Sequence, residues 1–186
     1  MFSWMKGMFN TVLSYLGLYN KKRNIVLLGL ENAGKTTLLH IINDDPVIHK
    51  KPRIYSPSDE LRLKNLNLNA YELEENVNER IWKDNFPELH GILFLIDSAD
   101  VNKFPEAKKE LEKILNTPEL DNIPIAILGN KIDIKDSVSY DQLKEALDYD
   151  TILAKETRPI EIFMVCVTKK IGVLFSLEWI CKNFKI

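Results

Sequence analysis

The order of hydrophobic and polar positions along this chain predicts strands that alternate with helices. Continuous apolar runs are typical of strands buried on both faces, and four occur, in NIVLLGL, GILFLID, IPIAILGN and IEIFMVCV. The pattern becomes helical in GKTTLLHIIND, PEAKKELEKILN, SYDQLKEALD and VLFSLEWICKNF, of which the second is clearly amphipathic. The segment ELRLKNLNLNAYEL alternates apolar and polar residues around Asn65, as a β-hairpin does. We therefore predict an α/β fold with a mostly parallel six-stranded sheet flanked by helices.

The first twenty residues, MFSWMKGMFNTVLSYLGLYN, form a separate amphipathic segment. In a helix, one face would carry apolar residues at three- and four-residue steps, and the opposite face would carry small and polar residues. A basic cluster, Lys21 to Arg23, follows directly. The apolar positions are Met5, Phe9, Val12, Leu16 and Tyr19.

Three interpretations of this segment remain open at the level of the sequence. A secretory signal peptide is disfavoured because no small-residue cleavage pattern follows the apolar part. An ordinary helix packed on the core is the second. A helix that lies in the membrane interface is the one we favour, because the basic cluster suits anionic headgroups. Residue 2 is not glycine, which excludes N-myristoylation. We predict a membrane-binding helix over residues 1–20, anchored by Phe2, Trp4, Met5 and Phe9.

Composition narrows the class of protein only slightly. An apolar fraction of 45% with 28% charged residues is ordinary for a globular domain. A formal net charge of -2 gives no electrostatic reason to expect nucleic acid as a partner. Cys166 and Cys181 cannot build a disulfide framework, which favours a reducing compartment. We find no stretch that is long and apolar enough to span a bilayer.

The segment GLENAGKT matches the phosphate-loop pattern G-x-x-x-x-G-K-[ST] and stands between a predicted strand and a predicted helix. Backbone N–H groups at a helix N-terminus favour anions, so they would face phosphates. The Lys35 ammonium would reach the outer phosphates, and the Thr36 hydroxyl would ligate magnesium. An ordinary glycine turn before a helix is disfavoured by the flanking elements. The predicted phosphate-binding residues are Gly29, Glu31, Asn32, Ala33, Gly34, Lys35, Thr36 and Thr37.

The segment NKID, Asn130 to Asp133, follows a later strand and is predicted to read the base. The Asp133 carboxylate could accept hydrogen bonds from the ring N–H and the exocyclic amine of guanine. Adenine lacks those donors, so the pattern disfavours an ATP-dependent kinase or motor. Lys131 would lie along the base plane and brace the phosphate loop. Backbone amides of Cys166, Val167 and Thr168 would supply a further contact with the base.

These motifs in this order resemble a small GTPase, and the detail resembles the Sar family, the Arf-related GTPases that initiate the COPII vesicle coat. The similarity is carried by GLENAGKTTLLH, IWKDNFPELHGILFLIDSAD, IPIAILGNKID and RPIEIFMVCV, and it includes an N-terminal amphipathic helix without a myristoylation glycine. The resemblance implies the P-loop small-GTPase fold, with a GTP-binding domain over residues 21–186.

The resemblance also implies a switch at the cytosolic face of the endoplasmic reticulum or the Golgi. GTP would release the N-terminal helix into the membrane, and the GTP-bound protein would recruit coat subunits. GTP or GDP and Mg²⁺ are the implied cofactors. The implied partners are COPII coat subunits, including a GTPase-activating subunit, a nucleotide exchange factor and membrane lipids.

Three stretches depart from the family pattern, and two of them lie outside the catalytic segment. Where the family has a threonine that completes magnesium coordination, KPRIYSPSDEL offers Pro57 or, shifted by one residue, Ser58. The stretch LDYDTILAKETRP is shorter than usual, and we interpret it as a deletion in a surface loop.

The third departure, YELEEN, falls on the catalytic segment. By the resemblance, Glu72 replaces an aspartate that holds a magnesium water, and Glu74 and Glu75 replace two glycines. Asn76 replaces the histidine that orients the attacking water, so Asn76 and Glu75 occupy the catalytic positions. We expect weak intrinsic GTP hydrolysis that a partner stimulates. The alternative is a hydrolysis-deficient, GTP-bound adaptor of the Arf-like class.

Overall fold

The computed structural model of this chain describes residues 11, 23–43, 60–63, 66–70 and 89–184. Within these residues the sheet has six strands in the spatial order β2-β3-β1-β4-β5-β6. Strand β2 runs antiparallel to β3, and every other neighbouring pair is parallel. The predicted hairpin around Asn65 and the mostly parallel sheet are thereby confirmed. The strands are β1 (Arg23–Leu28), β2 (Glu60–Leu63), β3 (Leu66–Ala70), β4 (Leu89–Asp97), β5 (Ile125–Asn130) and β6 (Ile160–Met164).

In the described part of the chain, five α-helices and two short 3₁₀ turns connect and cover these strands. Local signals mark their starts: α2 carries a proline in its first turn, where a missing N–H costs nothing. Helix α3 begins with a capping box, in which the Ser139 hydroxyl and the Gln142 side chain each accept the other's backbone N–H. The helices are α1 (Lys35–Asn43), α2 (Phe104–Leu115), α3 (Tyr140–Ala146), α4 (Tyr149–Lys155) and α5 (Val173–Lys182), and the 3₁₀ turns are Val101–Lys103 and Pro118–Leu120.

Helix α4 lies in the stretch LDYDTILAKETRP, in which we predicted a surface-loop deletion, so the residues that remain between α3 and β6 are partly helical. Asp148 adopts a left-handed conformation, with φ of 54°, and separates α4 from α3. Tyr149 and Ile152, three residues apart, are both buried. The Tyr149 hydroxyl donates a hydrogen bond of 2.8 Å to the carbonyl oxygen of Ile160. Burial of these two side chains against the sheet gives the short helix its tertiary support.

The core lies in two layers, one on each face of the sheet. Successive strand residues point to opposite faces, so Ile25 and Leu27 pack with α1 and α5, whereas Val26 and Leu28 pack with α2, α3 and α4. Helices on both faces explain why the strands are apolar without alternation. The carboxyl ends of β1, β4, β5 and β6 meet at one edge, which brings the predicted site segments together. In the described part of the chain, no helix has the length and hydrophobicity needed to cross a membrane.

Candidate nucleotide-binding site

The loop from β1 to α1 requires its two motif glycines. Gly29 has φ of 142°, and a Cβ there would stand 2.2 Å from the Leu95 carbonyl oxygen on the neighbouring strand. Gly34 has φ of 104°, and a Cβ there would stand 2.3 Å from Nδ2 of Asn130. A side chain at either position would be strained by its φ angle and would collide with its neighbour. The glycine spacing in the sequence therefore reflects two close approaches.

Lys35 holds the loop in its curved shape. Its side chain is nearly buried, with 3% of the residue exposed. The ammonium donates hydrogen bonds of 2.8 and 2.7 Å to the carbonyl oxygens of Gly29 and Leu30. These bonds place a positive charge in the centre of the loop, at the N-terminus of α1, where an anion is favoured.

The first turn of α1 presents amides and a hydroxyl to the same place. Leu38 is bonded within the helix, its N–H donating to Gly34 O at 2.9 Å, and helix geometry leaves the amides before it pointing out of the N-terminus. Thr36 and Thr37 are half-buried there, Glu31 and Asn32 are exposed at the tip of the loop, and Ala33 is buried. The predicted phosphate-binding residues therefore lie together on one short segment.

Asn130, at the end of β5, joins this loop to the segment after β6. Its Nδ2 donates to the Ala33 carbonyl oxygen at 2.9 Å, and its Oδ1 accepts from the Val167 N–H at 3.0 Å. Only 3% of the residue is exposed. The hydrogen bond that braces the phosphate loop thus comes from Asn130 and not, as we expected, from Lys131. Asparagine can do this because one side chain both donates and accepts.

Lys131 is instead paired with Asp97 at the end of β4. The Lys131 ammonium lies 2.6 Å from Oδ2 of Asp97, and the other carboxylate oxygen accepts from the Ala99 N–H at 3.1 Å. The next residue, Ser98, is fully buried, and its hydroxyl and backbone N–H both donate to the carbonyl oxygen of Asn130. We did not select Asp97 or Ser98 from the sequence. The sequence feature that could have indicated them is the polar DSAD segment, which follows directly on a buried strand.

Asp133 stands beside the segment after β6. Its carboxylate lies 3.4 Å from the Lys169 ammonium. A hydrogen bond from the Cys166 thiol lowers the pKa of Asp133 below its ordinary value of 3.8 more than any other contact, and its own backbone amide and Lys169 act in the same direction. The carboxylate is therefore ionised at neutral pH, and an ionised carboxylate is purely an acceptor, as guanine recognition requires.

The segment from Cys166 to Ile171 is a tight turn whose ends bond to each other. The N–H of each of these two residues donates to the carbonyl oxygen of the other at 3.0 Å. The Val167 amide is bonded to Asn130, as described above. Two of the three amides that we expected at the base thus donate within the protein and shape the turn. Thr168 supplies the amide that we retain as a base contact.

Several predicted residues lie outside the described part of the chain and remain predictions. They are the magnesium-shell candidates Ser58 and Glu72, the catalytic-position residues Glu75 and Asn76, and the membrane anchors Phe2, Trp4, Met5 and Phe9. Within the described ranges no three His, Cys, Asp or Glu side chains converge as metal ligands. The Thr36 hydroxyl, an oxygen ligand beside the loop, fits the preference of Mg²⁺ for hard donors and for phosphate-rich sites.

A parallel sheet, a glycine-constrained loop that embeds a lysine ammonium, and an ionised carboxylate at the same edge define the P-loop small-GTPase fold. The model of the ADP-ribosylation factor family, Arf, matches residues 9–184. The chain belongs to this family and is a small GTPase of it.

Curated relatives agree with this assignment. The chain is 32% identical over 183 residues to the small COPII coat GTPase SAR1 of Giardia intestinalis, which covers 94% of this chain and 96% of the relative. It is 31% identical over 193 aligned residues to the protein of the same description from Nicotiana tabacum, covering 95% and 97%. It is also 29% identical over 167 residues to ADP-ribosylation factor 3 of Arabidopsis thaliana, covering 89% and 90%.

Proposed function

We propose that the carboxyl edge of the sheet binds GDP and GTP through the residues described above. The supporting observation is that the Lys35 ammonium, at the start of α1, and the ionised Asp133 carboxylate, on the loop after β5, lie at the same edge of the sheet. The phosphates would lie on the amides of Gly29 to Thr37 and on the Lys35 charge. Guanine would donate its ring N–H and amine to Asp133, with Lys131 along the base plane and Thr168 at its edge.

We further propose that Thr36 contributes to a magnesium site, completed by Ser58 and Glu72. When bound, Mg²⁺ would neutralise part of the charge on the outer phosphates. The protein's own part is to hold the Thr36 hydroxyl at the start of α1, next to the phosphate-binding amides.

At the level of the cell, we propose a Sar-type membrane switch that starts COPII-type coat assembly in transport from the endoplasmic reticulum to the Golgi. Two relatives described as SAR1, matched over nearly their whole length, support this role. The amphipathic residues 1–20 without a glycine at position 2 support it as well. The GTP-bound protein would lie peripherally on the cytosolic face of the endoplasmic reticulum. Its partners would be coat subunits, including a GTPase-activating subunit, and an exchange factor.

The segment YELEEN makes weak intrinsic hydrolysis part of this proposal. A carboxylate of Glu75 at ~6 Å from a phosphate charge, with an effective dielectric of ~20, costs roughly 3 kcal/mol before a cation offsets it. Asn76 is a poor base, so a partner's arginine would supply the charge that stabilises the transition state. The same segment supports the second candidate, a GTP-bound adaptor that has lost turnover.

Single-turnover GTP hydrolysis by the full chain, with and without coat subunits, separates these candidates. A slow reaction that coat subunits accelerate supports the switch, and a rate that no subunit raises supports the adaptor. The double substitution Glu75→Gly with Asn76→His should raise the intrinsic rate. A brisk rate for the unaltered protein would contradict the assignment of YELEEN to the catalytic position.

Flotation on liposomes that contain anionic lipids tests the membrane part. GTP should increase the bound fraction over GDP, and alanine at Phe2, Trp4, Met5 and Phe9 should abolish binding. Each anchor would lose about 1.5–3 kcal/mol of apolar burial. Alanine at Lys109 and Glu112, two exposed residues of α2, is the matched control for a general loss of surface properties. Binding that is the same with both nucleotides would remove the switch.

A further inference from the structure

We propose that Asp97 is a positioning residue for nucleotide binding that acts through Lys131. This inference rests on the proposed function, because it takes Lys131 to lie along the guanine plane. The pair is short, 2.6 Å between Nζ and Oδ2, and largely shielded, with 24% of the lysine side chain and 12% of the aspartate side chain exposed. A charged hydrogen bond in that setting fixes one orientation of a side chain that otherwise has many rotamers.

The backbone also depends on this arrangement. Lys131 has φ of 67°, in the left-handed region that residues other than glycine rarely adopt. The register of the sheet places Asp97 directly beside Asn130, the residue before Lys131. Asp97 thus stands where the chain turns out of β5, and it can hold the lysine stem across the top of that strand.

The two carboxylate oxygens of Asp97 have different partners. Oδ1 accepts the Ala99 N–H at 3.1 Å, which shapes the turn after β4, and Oδ2 binds Lys131. An asparagine would not be equivalent, because the Asp97→Asn side chain keeps an oxygen for Ala99 but turns an NH₂ donor toward the Lys131 ammonium. This substitution therefore removes the pairing and preserves the turn.

The two charged residues of the NKID segment predict different effects on base selectivity. Lys131 would contact the base along its plane, which guanine and hypoxanthine share, whereas Asp133 would bind the exocyclic amine that only guanine has. Loss of Asp97 should therefore weaken the binding of GDP and of inosine diphosphate by the same factor. Loss of Asp133 should weaken the binding of GDP more than the binding of inosine diphosphate.

Calorimetric titration of the full chain with GDP and with inosine diphosphate tests the proposal in a double-mutant cycle. We expect Asp97→Asn to raise both dissociation constants about tenfold, the usual effect of losing a hydrogen bond to a charged group. In a Lys131→Met background the same substitution should change them less than about twofold, because the partner is already gone. Asp97→Glu, which keeps the charge, should recover part of the affinity. Asp100→Asn, at a half-buried acid three residues on, is the matched control and should bind as the unaltered protein does.

Each outcome decides one point. Unchanged nucleotide affinity in Asp97→Asn would overturn the positioning role. An equal loss of affinity in the unaltered and the Lys131→Met backgrounds would also overturn it, because Asp97 would then act through the fold and not through Lys131. If the unaltered protein binds neither nucleotide, the proposed function fails instead. If Asp97→Asn does not fold, the cycle is measured with Asp97→Glu and Lys131→Met. A positioning role then requires that Asp97→Glu changes the nucleotide affinity of the unaltered protein but not that of Lys131→Met.

Discussion

The Asn130 side chain connects segments that are distant in the sequence. It binds the Ala33 carbonyl oxygen on the phosphate loop and the Val167 N–H after β6, and the backbone carbonyl oxygen of Asn130 accepts from Ser98 after β4. Three loops at the sheet edge are therefore held by one buried residue. A change there should alter both the stability of the fold and the geometry of the site.

We expect Asn130→Ala to lower the free energy of unfolding by about 2–4 kcal/mol, because two buried backbone groups lose their partner. Asn116→Ala is the matched control: its amide also binds a backbone carbonyl, that of Glu112 at 2.8 Å, but the contact is exposed and local. That control should cost less than about 1 kcal/mol. Urea unfolding without nucleotide measures the free energy of unfolding of both variants. An equal loss of stability in Asn130→Ala and Asn116→Ala would contradict the bracing role of Asn130.

The pKa of Asp133 gives a second prediction at this scale. The carboxyl is held below its ordinary value of 3.8, mainly by the Cys166 thiol. A lowered pKa in the folded state means that ionised Asp133 stabilises the fold above pH 3.8, and that this contribution is lost as the pH falls through the lowered value. Carbon NMR of the carboxyl should show Cys166→Ala moving the pKa upward and Lys169→Met moving it less. A pKa that does not respond to loss of the thiol would refute the stated cause.

The sequence was informative about some of these residues and silent about others for a physical reason. Gly29, Gly34 and Lys35 could be selected because a phosphate loop is local, and its geometry is encoded in the spacing of a few neighbouring residues. Asp97 could not, because its pairing with Lys131 depends on the register of β4 against β5, in which Asp97 lies beside Asn130. Non-local polar contacts of this kind have no short sequence pattern.

At the scale of secondary-structure elements, one buried arginine connects segments at the amino-terminal ends of the strands, opposite the site. Arg158, between α4 and β6, donates to the carbonyl oxygens of Leu115 at the end of α2 and Leu120 in the second 3₁₀ turn, at 2.9 and 3.0 Å. It also pairs with Glu156 at 2.6 Å and with Asp121 at 3.2 Å. Its guanidinium thus satisfies the Leu115 carbonyl at the end of α2 and adds a second hydrogen bond to the Leu120 carbonyl, which also accepts the Ile123 N–H at 3.1 Å.

We expect Arg158→Met to lower the free energy of unfolding by about 2–4 kcal/mol, because two backbone carbonyl groups and the half-buried Glu156 carboxylate lose a buried donor. The dissociation constant for GDP should not change, since the residue lies at the opposite edge of the sheet. Lys182→Met removes a pair of the same length, 2.6 Å with Glu178, from an exposed helix surface. It should change stability by less than about 1 kcal/mol. A shift in GDP affinity for the arginine variant would show that the two edges are coupled.

The elements themselves differ in how well the pattern predicted them. Helix α2 was evident because Phe104, Ala107, Leu111 and Ile114 follow one face over three turns. Helix α4 was not, because its seven residues bury only Tyr149 and Ile152, and two apolar positions are too few to distinguish a helix from a turn. Short helices are stabilised by the surface on which they pack, which the local sequence does not contain.

At the scale of the whole molecule, fold class follows from burial on both sheet faces. The strands are continuously apolar because α1 and α5 cover one face and α2 to α4 cover the other. A parallel arrangement then brings the ends of β1, β4, β5 and β6 to one edge, so residues far apart in the chain form one site. A ligand that binds across that edge should stabilise the entire fold.

Thermal unfolding with nucleotides tests this consequence together with the identity of the base. GDP at about a hundred times its dissociation constant should raise the melting temperature by about 5–10 °C, whereas ADP should have little effect. Asp133→Asn should reverse the preference toward xanthosine diphosphate, because an amide can accept the ring N–H and donate to the carbonyl oxygen that xanthine carries in place of the amine. Asp136→Asn, an exposed acid nearby, should behave as the unaltered protein. Equal stabilisation by ADP and GDP would remove Asp133 as the base reader.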